Sequence, residues 1–390
     1  MNIPVENCSS CGACANVCAR GAISMQLDAE GFYRPVIDAE KCVQCGACEK
    51  VCPWTNQGEN PNVASTFPRT VAAYAKDESV RMESSSGGFF TVLAEKVLDE
   101  GGVVVGVAQM GPTKFGHIVV DNKADLAKLR GSKYVQANAG LIYREVRSLL
   151  RAGKKVLFSG TPCQVAALYA VLGKTAVSVG LTTVDIVCHG TPSVKVFEKY
   201  VHEMEDYCKD SLANINFRDK SDGWSGYSLQ HRFKSGQSVS ISHGRSKYMR
   251  LFLSCICQNV SCEECRYRKL PRIADITLGD YWGISKYHPE MNDNKGSSVV
   301  LLNTTPGSML FESVADKVVQ CESKVEYAIA GNPCIVRSSK QHPKRTEFFA
   351  NLDKYSLDEL IKMYCPYSSS LERLYYRVRA VLGRMKRKFL

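Results

Sequence analysis

Eight of the 18 cysteines in this 390-residue chain stand in two runs of identical spacing, Cys8, Cys11, Cys14 and Cys18, then Cys42, Cys45, Cys48 and Cys52. Each run reads C-x2-C-x2-C-x3-C. Three thiolates at steps of three wrap one face of an iron–sulfur cubane, and the fourth is carried off by a short helical turn toward the neighbouring cluster. Gly12-Ala13 recurs as Gly46-Ala47, and small residues there let main-chain N–H groups approach the sulfides. Zinc is the competing reading, but zinc sites usually pair two C-x2-C units or recruit histidine.

Four more cysteines are spaced for a second kind of site. Ser159-Gly160-Thr161-Pro162-Cys163-Gln164 and Asp185-Ile186-Val187-Cys188-His189-Gly190 each follow an apolar run and open a polar turn, and Cys262-Glu263-Glu264-Cys265 forms a C-x2-C loop. A thiol in the first turn of a helix, as expected for Cys163, has a lowered pKa suited to metal ligation or nucleophilic attack. Cys163, Cys188, Cys262 and Cys265 supply the four thiolates of a third 4Fe-4S cluster. A structural zinc with the same ligands, or buried unligated thiols at 163 and 188, are the alternatives. His189 reads as a structural histidine, a ligand or a flavin contact.

Two polar loops complete the set. Ser84-Ser85-Ser86-Gly87-Gly88 precedes a helical stretch, and hydroxyls with bare amides at a helix start suit a phosphate, although a plain N-cap has the same composition. Gly131-Ser132-Lys133-Tyr134-Val135-Gln136 is a second such loop, equally readable as a solvated turn.

The elements that would position these residues alternate. Strands are predicted over 71–75, 102–108, 155–159, 182–187, 274–278 and 298–302, and helices over 89–98, 141–150, 162–172 and 194–204. This alternation predicts an α/β body, α+β overall, around a mixed or parallel sheet. Period-two segments in 211–245 predict antiparallel strands. The strands before Cys163 and Cys188 should lie side by side, with both cysteines at the carboxyl edge of the sheet. The predicted divisions are a two-cluster domain over 1–57, a linker over 58–70, the body in two parts over 71–150 and 151–335, and a helical extension over 336–390.

The N-terminal repeat resembles the bacterial two-cluster ferredoxin. That likeness implies one 4Fe-4S cluster on Cys8, Cys11, Cys14 and Cys52 and another on Cys42, Cys45, Cys48 and Cys18. The remaining motifs, Ser84–Gly88, Lys133–Gln136, Gly160–Gln164, Cys188-His189-Gly190, Cys262/Cys265 and Ala274–Gly283, together resemble the coenzyme F420 hydrogenase/dehydrogenase beta-subunit family over about residues 70–335. The resemblance implies a third cluster beside an FAD, with Ser84, Ser85, Ser86, Gly87, Gly88, Lys133, Tyr134, Gln136, Gly160, Thr161, Gln164 and His189 as flavin contacts. It implies an iron–sulfur flavoprotein oxidoreductase exchanging hydride with coenzyme F420 or another organic acceptor, and exchanging electrons with a ferredoxin-like or other redox protein. A fused ferredoxin and a basic tail are similar to members associated with cell-surface polysaccharide synthesis. A non-catalytic electron-delivery subunit of a membrane-associated enzyme is the alternative.

The formal charge is +11, and the last 20 residues hold seven basic residues and one acidic. Three oxidised cubanes, at roughly two negative charges each with their thiolates, would lower that total to roughly +5. In 368–390, Leu371, Leu374, Tyr375, Val378, Val381, Leu382, Met385 and Phe389 share one helical face ringed by Arg and Lys, a pattern that lies on an anionic membrane or docks as a terminal helix. No aromatic-and-basic fold accompanies the charge, which speaks against nucleic acid. No secretory signal or long apolar run is present, so a reducing cytoplasm is expected, with the tail at the inner face of the membrane.

Overall fold

The computed structural model describes residues 5–55, 68–173 and 180–366. Most of the predicted linker and the basic amphipathic tail fall outside the described residues.

The N-terminal module holds two short helices, Ala13–Val17 and Ala47–Lys50, around a hairpin of β1 (Ile23–Leu27) and β2 (Tyr33–Ile37). Each helix opens on a glycine with positive φ, Gly12 at 79° and Gly46 at 71°. L-residues rarely adopt that conformation, which is the physical reason for the repeated Gly-Ala.

The body is built on an eight-stranded sheet. Its strands are β3 (Arg69–Ala75), β4 (Val103–Gln109), β5 (Phe115–Val120), β6 (Val156–Gly160), β7 (Leu181–Ile186), β11 (Ile276–Asp280), β12 (Ser298–Leu302) and β13 (Val318–Ser323). The order is β13-β3-β12-β11-β7-β6-β4-β5. The central strands β4, β6, β7 and β11 are parallel, and the flanking pairings are antiparallel, so the sheet is mixed. Gly160 pairs with Asp185 across β6 and β7, so the chain leaves two adjacent strand ends toward Cys163 and Cys188, as predicted.

The antiparallel segments form a separate sheet of β8 (Leu212–Asp219), β9 (Ser228–Phe233) and β10 (Ser238–Ser242). It shares an aromatic-rich core with the helices Val194–Cys208, Lys247–Leu253 and Leu357–Tyr364. The sequence reading missed the N-terminal hairpin of β1 and β2 and two strands of the eight-stranded sheet. β5 and β13 are the sheet's edges, and their apolar runs are broken by His117 and by Gln320 and Glu322, because an edge strand faces partly to solvent. The strand expected over 274–278 lies two residues further on.

All of helix Pro162–Leu172 except Cys163 and Ala170 is buried, which explains its nearly unbroken apolar sequence. It shares a core with Phe158 and Tyr143 of the body and with Cys11 and Ala13 of the N-terminal module. The module is therefore docked into the body. A Cβ on Gly12 would stand 3.2 Å from the Cβ of Ala139, so its glycine also permits this close approach.

Candidate functional site

Cys163, Cys188, Cys262 and Cys265 converge from two strand ends and one loop. The Cys163 thiol has Cys188 and Cys265 as neighbours and also faces Cys11 of the N-terminal module. Cys188 has Cys262 and Cys265 beside it. Burial, reinforced by these neighbours, pushes the Cys188 thiol up to about 12. The lowered pKa expected of Cys163 is corrected. Burial at the helix start outweighs the hydrogen-bond partner Thr161 Oγ1, 3.1 Å away, and the thiol lies well above its usual range. Burial raises the Cys163, Cys188 and Cys262 thiols alike, and thiols so buried are poor free nucleophiles but suit ligation of a cation or cluster.

Arg268 was not singled out from the sequence. Its buried guanidinium pulls Cys188 and Cys262 downward against burial. It donates to Ser339 Oγ at 3.0 Å, and its Nε has no partner among the described residues. A positive charge with a spare donor suits an anionic group held by the four thiols. Thr191 N–H also donates to Cys262 Sγ at 3.3 Å.

In the N-terminal module Cys8, Cys11, Cys14 and Cys52 surround one small cavity, with Met25, Pro53 and Trp54 in its wall. Ser10 N–H donates to Cys8 Sγ at 3.3 Å. Burial, then the charge of Cys8, pushes the Cys11 thiol up to about 12. The second set is more open. Cys48 and Cys18 pack near Cys14, Cys42 is half-buried and Cys45 is exposed. Among the described residues, no three of these cysteines, or of the Cys163 set, bring their sulfurs within 4.8 Å of one another. Four thiolates on a single zinc at 2.3 Å stand about 3.8 Å apart. The wider spread fits a larger group such as a cubane.

A cavity of about 530 Å³ lies at the carboxyl edge of the central strands, with Cys163 and Cys188 in its wall. Ser84, Ser85, Ser86 and Gly88 form one side, and Gly87 does not reach it. The serine hydroxyls are engaged. Ser84 donates to Val80 O at 2.7 Å, Ser86 donates to Ser297 O at 2.9 Å, and Ser85 accepts from Ser132 N–H at 2.7 Å. That last bond joins the two polar loops. Gly88, at φ 81°, starts helix Phe89–Asp99 with no side-chain cap, so no side chain satisfies the N–H groups of its first turn. Gly87 instead donates its N–H to Ser298 Oγ at 3.0 Å.

Lys133, Tyr134 and Gln136 form a second wall. Lys133 Nζ donates to Leu129 O and Arg130 O, each at 2.8 Å, and burial lowers its pKa to about 7. Gln136 Oε1 accepts from Tyr33 N–H at 2.9 Å, leaving Nε2 buried and unpartnered. Gly160, Thr161 and Gln164 line the floor, where Gln164 Oε1 accepts from Thr161 N–H at 2.9 Å in a capping box that fixes the turn before Cys163. His189 also reaches the cavity, between Cys255 Sγ at 3.5 Å from Nε2 and Cys334 Sγ at 3.9 Å from Nδ1. Burial lowers its pKa.

The sequence reading missed the opposite wall. Arg218 forks onto Asp280 at 2.8 and 3.2 Å, donates to Tyr134 Oη at 3.1 Å and lies 4.0 Å above the Tyr227 ring. Trp224 donates to Asp280 at 2.9 Å and stacks on Trp282, with ring centres 4.7 Å apart. Asp280 and Trp282 stood in a quoted motif without a role, and Arg218 carried no local signal. Arg218 Nε, like Gln136 Nε2, is a buried donor without a partner among the described residues. Two orphaned donors, aromatic walls and an uncapped helix start fit a flat, phosphate-bearing ligand such as FAD.

Residues 70–141 match the N-terminal region of the coenzyme F420 hydrogenase/dehydrogenase beta subunit, and residues 153–327 match the C-terminal region of the same protein. Two matches to a 4Fe-4S dicluster domain cover residues 7–56 and 34–85. No match is found among curated proteins. Among solved structures the chain is similar to a chain of the F420-reducing NiFe hydrogenase complex from Methanosarcina barkeri, at 18% identity and a TM-score of 0.48 over 78% of this chain and 94% of that one. Both halves of one family are thus matched in sequence order behind a dicluster domain, and the chain belongs to the coenzyme F420 hydrogenase/dehydrogenase beta-subunit family.

Proposed function

We propose that this iron–sulfur oxidoreductase carries three 4Fe-4S clusters and one FAD, and exchanges hydride with coenzyme F420 or another organic acceptor in the large cavity. The observation that carries the reading is the double position of Cys163. It faces Cys11 on one side and lines the cavity on the other. The thiol sets therefore follow one another inward, from exposed Cys45 through the Cys8 set to the Cys163 set and the cavity wall.

When bound, a flavin supplies the exchange between hydride and single electrons, and the clusters supply the single-electron path. The chain's own residues bind, orient and insulate. Uncapped helix Phe89–Asp99 and Lys133 receive phosphate. Gln136 and Arg218, which line the cavity, would hold the flavin's polar groups. Tyr143 and Tyr267, both beside Cys11 and Cys163, exclude water between the two sets.

A ferredoxin-like or other redox protein would meet the exposed set, and the basic tail would meet an anionic membrane surface. Among the described residues no helix is long and apolar enough to cross a membrane. The electron-delivery alternative leaves a cavity of about 530 Å³ without a use. A role in cell-surface polysaccharide synthesis would make the acceptor a carbohydrate derivative.

Anaerobically reconstituted protein should hold about twelve irons and one FAD per chain. After dithionite reduction, its bleached absorption near 400 nm should recover on adding F420 or another hydride acceptor. Zinc in place of iron would overturn the cluster assignment, and full iron without flavin would favour the electron-delivery reading.

A further inference from the structure

His288, Glu290 and Cys321 bring one ligand atom each to within 4.8 Å of one another, well apart in sequence from the cysteine sets. His288 and Glu290 flank the start of a single 3-10 turn, Pro289–Met291, while Cys321 comes from edge strand β13. His288 Nδ1 stands 3.7 Å from Glu290 Oε1. Two ligands on one zinc at about 2.0–2.1 Å would stand roughly 3.4 Å apart, so little movement separates the arrangement from a coordinated one.

The surroundings also orient the imidazole. His288 Nε2 lies 2.8 Å from Ser323 Oγ, and Ser323 Oγ in turn bonds the hydroxyl of buried Tyr281. With Nε2–H donating to Ser323, the Nδ1 lone pair is left facing Glu290. A ligating histidine characteristically uses its second nitrogen in this way. Ser323 and Cys321 are two apart on β13 and project to the same side.

We propose that His288, Glu290 and Cys321 bind one divalent transition-metal ion, zinc by the chemistry of its donors, with a fourth position open to water. One thiolate, one carboxylate and one neutral imidazole together balance the charge of a 2+ ion. Calcium and magnesium require oxygen ligands throughout, and a thiolate with an imidazole excludes them. Tyr281 and Trp282, which stacks on Trp224 beside the cavity, begin the segment that carries His288. The ion would therefore fasten the edge of the sheet to the segment that forms a cavity wall.

The test uses full-length, anaerobically reconstituted protein equilibrated with zinc chloride, with bound zinc and iron measured together by mass spectrometry. Wild type should retain about one zinc per chain, with one sulfur in its shell by zinc-edge X-ray absorption. Cys321→Ala and Glu290→Gln should each bind at least about tenfold more weakly with iron unchanged. Glu290 is exposed, so Glu290→Gln keeps the comparison valid if Cys321→Ala misfolds. Equal zinc in wild type and variants, no retained zinc, or a shell of four sulfurs would overturn the assignment.

Discussion

The hydroxyl of Tyr143 donates to the main-chain oxygen of Cys11 at 2.7 Å, and the same buried ring lies beside the thiols of Cys163 and Cys14. One side chain of the body therefore touches both the N-terminal thiol set and the set at the cavity. The two sets are neighbours because helix Ala13–Val17 is built into the core beside Tyr143 and helix Pro162–Leu172. The electron transfer proposed between them would be a property of packing, not of a chance encounter between tethered modules.

Asn16 secures that packing. Its Oδ1 accepts from the N–H groups of Tyr143 and Arg144 at 3.1 and 3.3 Å, and its Nδ2 donates to Gly140 O at 2.8 Å. Asn16→Ala leaves the buried N–H of Tyr143 and the half-buried N–H of Arg144 without this partner, at a cost of about 2 kcal/mol. Hydrogen exchange in helix Ala13–Val17 should then accelerate by about thirtyfold relative to the central strands. Unchanged protection would mean that the module is held elsewhere.

Cys262→Ala removes one ligand from the set at the cavity and none from the N-terminal sets. Iron should fall by about four per chain, one cubane's content. The dicluster signals should persist in electron paramagnetic resonance of the reduced protein. A loss of no iron, or of about eight, would show that the ligand set is drawn wrongly.

The central strands and the approach of Cys163 to Cys188 were legible because each of these two cysteines follows an apolar run, and adjacent parallel strands deliver their ends to one edge; Cys262 and Cys265 were legible as a C-x2-C loop. Arg218 and Arg268 were not legible. Arg218 takes its role from Asp280 and Arg268 takes part of its role from Cys188, partners far away in sequence, although Arg268 also follows the Cys262/Cys265 loop by three residues. The serines of residues 84–86 misled for the opposite reason. Their composition suggested free hydroxyls for an anion, whereas Ser84 bonds back to Val80 O in the preceding turn and tertiary contacts engage Ser85 and Ser86. Cys334, which stands in none of the motifs, lines the cavity with its Sγ 3.9 Å from His189 Nδ1.

Arg218 and Asp280 form an enclosed pair, with side chains 2% and 15% exposed. Removing one partner strands the other charge, and Asp280→Ala should destabilise the protein by about 3–5 kcal/mol. Arg218→Lys keeps a charge but loses the two-pronged geometry and the stack on Tyr227. It should therefore weaken flavin retention more than it weakens folding. Thermal unfolding of the apoprotein, compared with flavin content after dialysis, separates the two effects.

Lys133 gives the cavity a pH dependence whose sign follows from its lowered pKa of about 7. Above that value the folded, empty cavity holds a neutral amine, while the unfolded chain keeps its proton up to about 10.5. The unfolded state then binds more protons, so apoprotein stability should rise with pH from about 7 to about 10.5 and be lowest below that window. An anionic phosphate in the cavity reverses the preference, because it favours the ammonium. Binding of pyrophosphate or a flavin nucleotide above pH 7 should then take up a proton and weaken by up to about tenfold per pH unit. Calorimetry at pH 8 in two buffers of different ionisation enthalpy reads that uptake directly. Lys220 also falls to about 7, but its Nζ is already committed to the main-chain oxygens of Arg81, Ser86 and Lys295. Lys133→Met should accordingly abolish the proton uptake and flatten the affinity between pH 7 and 9; an unaltered profile would remove Lys133 from the anion site.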